Sequence, residues 1–448
     1  MLTIRKIKFT YTQIIVLGTF ALIFLGAILL SLPISARNGV RTPFINSLFT
    51  ASSAFCVTGL IVYDTYTHWS LFGQIVILML IQIGGLGFMT IITLFSLILK
   101  RRIGLKERRL LMESANTLNI GGIVRLVKKI IKRTFIIEGM GAILLTIRFY
   151  QKMGLLESIY YGIFHSISAF CNAGFDLMGK YQPFSSLTKY CGDIGVNLTI
   201  MSLIVIGGLG FLVWEDILEN KLSFYKYHLH SKIVITITII LILGGALLFY
   251  IWEENNSMVN MSIYERILAS LFQSVTPRTA GFNTINQNNL SESGSLLTML
   301  LMIIGGSPGS TAGGIKTTTF AVLIIGSISS AKKTSEITIY KRKLEKDALK
   351  KACSIAIIYM TIALVFIMIL CSIENFSLKQ ISFEVFSALS TVGLTMDVTS
   401  NLTSNVSKLI LSLLMYGGKV GVLSLAAALS EKKEIIQLSR PAEKIVIG

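Results

Sequence analysis

The sequence predicts an all-α integral membrane protein: four repeats of helix, re-entrant half-helix, filter and helix around a central pore, with eight spanning helices. Three observations carry the prediction. The chain is 53% hydrophobic and only 14% charged, with a mean hydropathy of +0.71, whereas a soluble chain carries about 25% charged residues. Several of its apolar runs reach the roughly 20 residues that cross a bilayer. A short motif, an aromatic, Ser and Ala run leading to a Gly and then a large apolar residue, occurs four times, its central glycines 107 to 115 residues apart. That spacing is too long for a solenoid and suits a membrane protein with internal repeats.

The net charge of +18 sits in loops. Lys and Arg cluster at residues 5–8, 100–109, 125–133, 332–351 and 432–444. The alternate loops carry few basic residues and the acids Asp64, Glu157, Asp176, Asp193, Glu253, Glu254, Glu292 and Glu374. This is the positive-inside pattern of a multi-pass protein of the cytoplasmic membrane with both termini in the cytoplasm. Membrane lipids, not nucleic acid, are the partners such loops imply. Five cysteines without paired spacing imply neither a disulfide framework nor a zinc site. The N-terminus loosely resembles a signal peptide, but the apolar run 14–32 is long for one and reads as a retained helix.

Residues 1–100 form the first repeat. Residues 14–32 span and stop at Pro33, 44–55 form a half-helix too brief to span, 56–60 return as extended chain, and 71–99 span. The second unit, 101–225, opens with a basic linker whose residues 105–131 suit an amphipathic surface helix. It continues with an outer helix at 135–150, a half-helix at 159–170, a filter at 171–175 and a span at 196–218. Glu138 within the outer helix is expected near its cytoplasmic end, paired with Arg133 or Lys132. The string Gly-Gly-Leu-Gly-Phe occurs at 84–88 and again at 207–211, inside apolar helices and without dinucleotide-loop spacing. The third unit, 226–335, has an outer helix at 233–252, a half-helix at 263–274, a filter at 275–282, and a span from 295 that breaks at 305–314. Glycines and a Pro there cannot continue a straight helix, and irregular backbone at membrane depth must be buried or line a cavity. The fourth unit, 336–448, follows a linker at 332–351 expected to be helical, then has spans at 352–373 and 409–429 around a half-helix at 383–390.

A cation crossing lipid needs oxygen ligands in place of water, and glycine reaches the backbone angles that turn carbonyls toward an axis. The candidate cation-binding filters are therefore Val57, Thr58 and Gly59; Asn172, Ala173 and Gly174; Thr279, Ala280 and Gly281; and Thr391, Val392 and Gly393. The C-terminal ends of the half-helices add partial negative charge. Thr58, Asn172, Thr279 and Thr391 offer side-chain oxygens to brace or ligate, and Asp64, Asp176 and Asp397 follow three of the filters, where they can concentrate cations or serve as ordinary loop charges. A cation at the filter is the expected substrate, with no transition metal and no covalently bound cofactor.

With these motifs in place the chain resembles the Trk/Ktr/HKT superfamily of potassium uptake proteins, above all the membrane subunit of the bacterial Ktr system. The passages that carry it are Ser274-Val275-Thr276-Pro277-Arg278-Thr279-Ala280-Gly281-Phe282-Asn283-Thr284 and residues 305–317. The resemblance implies eight spanning helices, four half-helices, a homodimer, and a cytoplasmic nucleotide-binding regulatory ring of the RCK type. It makes Gly59, Gly174, Gly281 and Gly393 the selectivity glycines and 305–316 an intramembrane gating loop. A glycine at the first filter matches potassium-selective members, where many sodium-preferring plant relatives have serine. The resemblance thus implies K+ as the substrate at the filter and leaves Na+ open as an activator. The basic residue of the last inner helix, commonly Arg in the family, is Lys419 here, a point charge without the guanidinium fork.

The expected gate comprises Gly305, Gly306, Ser307, Gly309, Ser310, Thr311, Gly313, Gly314, Lys316 and Lys419. Its loop superficially resembles a phosphate loop, but Ile315 separates Gly314 from Lys316 and no strand precedes it. A sodium-conducting or weakly selective transporter is one rival reading. A secondary carrier that binds solute at broken helices is another, although carriers usually repeat twofold, not fourfold. An enzyme is not expected: the chain offers no Ser/His/Asp order, no HExxH, and only scattered histidines, His68, His165, His228 and His230.

Overall fold

The computed structural model describes residues 10–87, 90, 104, 123–221, 223–332, 336–345 and 347–421, and these are mostly helical. Four times a long helix leads into a short one, then a loop, then another helix. The long helices are α1 (Tyr11–Ser31), α5 (Ile123–Met153), α9 (Leu229–Trp252) and α13 (Ala348–Ile373). The short ones are α2 (Phe44–Cys56), α6 (Leu155–Phe170), α10 (Ile263–Val275) and α14 (Leu378–Ser390). After the loops come α4 (Leu71–Leu86), preceded by the single turn α3 (Thr65–His68), then α7 (Ile194–Leu209), α11 (Glu292–Ile303) and α15 (Asn405–Val420). Two helices, α8 (Phe211–Asn220) and α12 (Thr317–Ala331), extend α7 and α11 beyond a break. By length and composition α1, α9 and α13 are able to cross a membrane, and α7 with α8 would make a fourth if counted as one bent span.

Caps set the helix starts. Thr10 and Gln13 form a capping box at α1, which ends just before Leu32-Pro33. The helices after the loops open on Ser70, Asp193, Ser291 and Ser404, each accepting a first-turn backbone N–H. Each of these caps is also tied back to the long helix before it or to the residues that follow that helix. Ser70 N–H donates to Ser35 O at 2.9 Å, and Arg148 pairs with Asp193 at 2.9 Å. Glu253 accepts from Ser291 N–H at 3.0 Å, and Glu374 from Ser404 N–H at 3.0 Å.

The quarters close in a ring. Helix α4 packs on α6, α7 on α10, α11 on α14, and α15 on α2. The short helices lie inside that ring, with Phe49, Phe164, Phe272 and Phe383 fully buried in one core.

Several expectations need correction. Helices α4, α7 and α15 do not run on as expected; they stop at Gly87, Gly210 and Gly421, whose φ values are 85°, 95° and 90°. Each lies three residues after a glycine, Gly84, Gly207 or Gly418, on which a Cβ would overlap a carbonyl oxygen at a short helix's end, that of Phe55, Phe170 or Leu389. At Gly210 the axis turns by 98° from α7 into α8. The continuations expected at 88–99 and 422–429 lie outside the described residues, apart from Thr90. Helix α5 is one helix from Ile123, so the basic residues 123–133 are its first turns; the rest of the expected surface helix, 105–122, lies outside the described residues. Residues 338–343 are not helical but form a hairpin of β1 (Thr338–Ile339) and β2 (Arg342–Lys343), turning through Tyr340 and Lys341 at φ 49° and 62°.

Candidate cation site

The four loops share one backbone. The residue two before each glycine has positive φ: Val57 58°, Asn172 60°, Thr279 73° and Thr391 55°. So do the glycines themselves, at 94°, 68°, 80° and 92° for Gly59, Gly174, Gly281 and Gly393. A β-branched residue held in the left-handed region is strained, and such strain persists only where the surroundings fix it. Here buried hydrogen bonds fix it. Thr58, Ala173, Ala280 and Val392 donate their N–H to the carbonyls of Ser53, Ser168, Thr276 and Ser387, at 2.8, 2.7, 2.9 and 2.8 Å.

The hydroxyls of those same four residues brace the segment at or after the glycine. Ser53 Oγ accepts from Gly59 N–H at 3.1 Å and Ser387 Oγ from Gly393 N–H at 3.0 Å. Ser168 Oγ donates to Phe175 O and Thr276 Oγ1 to Phe282 O, both at 2.7 Å. Sequence reasoning missed this quartet, although the residues lie in or beside the repeated aromatic, Ser and Ala run. The reason is a register shift: Thr276 stands five residues before its glycine, and the other three stand six.

The glycines meet in a closed ring. A Cβ on Gly59 would lie 2.5 Å from Ala173 O, one on Gly174 2.7 Å from Ala280 O, and one on Gly281 2.5 Å from Val392 O. One on Gly393 would overlap Thr58 O. Each glycine therefore faces the carbonyl preceding the next glycine, in the order one, two, three, four, one. All twelve filter residues named from the sequence are gathered here. Their side chains are not equivalent, however. Thr58 stands one residue before its glycine and Asn172, Thr279 and Thr391 two before, where the first loop has Val57. The Thr58 hydroxyl is buried and has no hydrogen-bond partner among the described residues. Asn172 bonds Thr279 at 3.2 Å; with its amide oxygen toward Thr279, its nitrogen reaches Ala169 O at 3.1 Å and Ile204 O at 3.2 Å. It ties the second loop to the third.

The three acids after the loops divide. Asp64 is a structural cap: it accepts from Thr67 N–H at 2.8 Å and Phe184 N–H at 3.0 Å. Asp397 accepts from the Asn288 amide. Asp176 accepts from Met178 N–H at 2.9 Å, and burial, with the Asp64 carboxylate close by, raises its pKa to about 7. Behind the loops, His165 accepts Leu177 N–H at 3.3 Å, and Glu384 accepts from Thr395 at 2.8 Å and from Thr399.

The segment 305–316 lies against the ends of two short helices. Gly313 is packed so closely that a Cβ would lie 2.9 Å from Ser390 O, and Thr311 Oγ1 donates to Phe170 O at 3.4 Å. Its ends are stitched: Gly305 N–H to Ile315 O at 3.0 Å, Ile315 N–H to Ile303 O at 3.1 Å, Thr317 N–H to Gly306 O at 3.1 Å. It also explains the bend in α7. Ser307 N–H donates to Gly208 O at 3.0 Å, and Phe211 N–H to Gly309 O at 2.9 Å in place of a helical acceptor. Ser310 Oγ donates to Ser307 O at 2.6 Å, and Gly314 turns at φ 67°. Lys316 Nζ donates to Ala312 O at 2.6 Å and Lys419 Nζ to Thr311 O at 2.9 Å, so both ammonium groups are held by carbonyls of the segment. Glu138 is paired with neither Arg133 nor Lys132. It is buried and accepts from Gln82 at 3.1 Å, because Arg133 turns with Lys129 to Glu215 of α8.

The family model described as TrkH, cation transport protein, matches residues 9–437. The chain belongs to this family. Among curated relatives, the potassium/sodium uptake protein NtpJ of Enterococcus hirae is 40% identical over 99% of this chain and 98% of its own. The Ktr system potassium uptake protein B of Bacillus subtilis is 40% identical over 96% of this chain and 95% of its own. The crystal structure of the potassium transporter TrkH from Vibrio parahaemolyticus superposes with a TM-score of 0.74, covering 95% of this chain and 86% of that one. At 18% identity it shows that the TrkH family member described here has the TrkH fold.

Proposed function

We propose that this TrkH-family protein takes up potassium ions across the cell membrane through a channel-like pore selected by the four glycine loops. The observation that carries the reading is the cyclic contact of Gly59, Gly174, Gly281 and Gly393 with one another's preceding carbonyls. Such a ring offers backbone oxygens from four directions, which is what replaces the hydration shell of a monovalent cation. Relatives named as potassium uptake proteins support the choice of ion. One relative named for both potassium and sodium keeps sodium conduction or stimulation as the second reading.

In this reading the four helix, half-helix, filter and helix units supply eight spans, with both termini cytoplasmic. The segment 305–316 is the gate, occupying the path below the ring and held there by Lys316 and Lys419. The protein works as a homodimer under a cytoplasmic nucleotide-binding ring, and as a transporter it carries no resident cofactor. The test is ion flux into liposomes holding the purified protein, with potassium, sodium or choline outside. Potassium-driven flux well above sodium is expected; equal flux favours the second reading, and none with either ion overturns both.

A further inference from the structure

Arg278 immediately precedes the third loop, and its side chain is only 7% exposed. Nη2 donates to Thr238 Oγ1 at 3.3 Å, while Nε is buried without a hydrogen-bond partner. No carboxylate pairs with Arg278 among the described residues. The residue lines a small cavity between α7, α9 and the 305–316 segment, together with Gly208, Leu209, Thr238, Val275 and Gly306.

A guanidinium does not give up its proton in a protein, so the charge stays. A buried charge without a counter-charge is among the costliest features a fold can carry. Two carbonyls of lining residues already serve the backbone: Gly208 O takes Ser307 N–H, and Gly306 O takes Thr317 N–H. The polar side chains on its walls are donors, the Arg278 N–H groups and the Thr238 hydroxyl, whose oxygen already accepts. The remaining walls named are apolar or glycine. The cavity measures about 10 Å³, room for one water-sized occupant and far too little for an organic anion or a lipid headgroup.

We propose that Arg278 and Thr238 bind a small monovalent anion, a halide, as the counter-ion of the third loop. Paired in this way the guanidinium no longer sets an uncompensated positive charge beside Thr279, on the ring through which the proposed cation passes. Binding itself does not depend on the transport reading.

The test uses the full-length protein crystallised in bromide, with thermal unfolding followed in parallel in bromide, chloride and gluconate at equal ionic strength. An anomalous bromide peak within hydrogen-bond reach of Arg278 and Thr238 is expected, with a higher unfolding midpoint in either halide than in gluconate. Thr238→Val, which keeps the guanidinium, should shrink the midpoint difference, and Arg278→Gln should abolish it. If Arg278→Gln does not fold, the wild type and Thr238→Val still decide. Density without anomalous signal, meaning water, overturns the proposal. So does a midpoint that ignores the anion, which would mean binding at crystal concentration only.

Discussion

Gly59 combines two constraints that act separately elsewhere: a φ of 94°, and a neighbouring carbonyl 2.5 Å from where its Cβ would stand. Gly59→Ser has to shift the Ala173 carbonyl, so potassium should lose its advantage over sodium in competitive uptake by a potassium-uptake-deficient strain. An unchanged ratio at normal expression would remove Gly59 from the selecting ring. The hydroxyl of Ser387 poses a second question. Ser387→Ala leaves the buried Gly393 N–H without its acceptor, a loss of about 1–3 kcal/mol. A lower unfolding midpoint and weaker ion discrimination are expected, both recovered by Ser387→Thr; a lower midpoint with selectivity intact would make the hydroxyl structural only. At the acids, Asp176 titrates near 7 when folded against 3.8 as its ordinary value. The folded state thus holds this proton more tightly than the unfolded chain does. Its contribution to stability is complete below about pH 4 and is lost as pH rises through 7. Asp176→Asn should flatten that part of the stability–pH curve, and a curve of unchanged shape would count against the assignment.

Glycine acts differently at the scale of elements. Gly84, Gly207 and Gly418 let a helix approach the carbonyl end of a short helix, and Gly87, Gly210 and Gly421 then end the regular helix. In the third quarter Gly305 faces Gly313 instead, and the extra segment fills the space. That segment is held chiefly by backbone hydrogen bonds to Gly207, Gly208 and Phe211 and by two lysines, with little apolar side chain of its own. Elements with few apolar contacts open at low cost. Deleting part of 309–313 should raise flux and weaken its dependence on the proposed cytoplasmic regulatory ring, measured in liposomes with and without that ring. A folded deletion variant whose flux stays low and fully partner-dependent would mean the segment is a rigid packing break.

In the whole molecule, the ring closes because each quarter's last helix packs on the next quarter's short helix, and α15 returns to α2. Within the third quarter Glu253 ties the end of α9 to the start of α11, and within the fourth Glu374 ties the end of α13 to the start of α15. The outer helices present apolar residues such as Ile143, Leu243 and Met368 outward. Lipid covers such a surface, and among symmetric oligomers the twofold dimer, the assembly proposed here, is the commonest. Crosslinking in native membranes and mass measurement in mild detergent should find a dimer; monomers alone in both would count against it.

The sequence by itself determined the membrane class, the four glycine loops and the irregular segment at 305–316. Hydropathy, motif repetition and glycine-rich composition are local properties that survive without knowledge of the fold. Helix ends at Ser31, Phe170, Val275 and Ser390 fell within a residue or so of the reading for the same reason. Only the tertiary structure decided which glycine loop faces which, since a contact between Gly393 and the Thr58 carbonyl joins residues far apart in the chain. It also decided the partner of Glu138, which reaches across to Gln82 although Arg133 is nearer in sequence. The stops at Gly87, Gly210 and Gly421 were illegible because an apolar run reads the same whether its helix continues or bends. At Gly210, the helix turns where the Gly309 carbonyl, from another quarter of the chain, accepts Phe211 N–H.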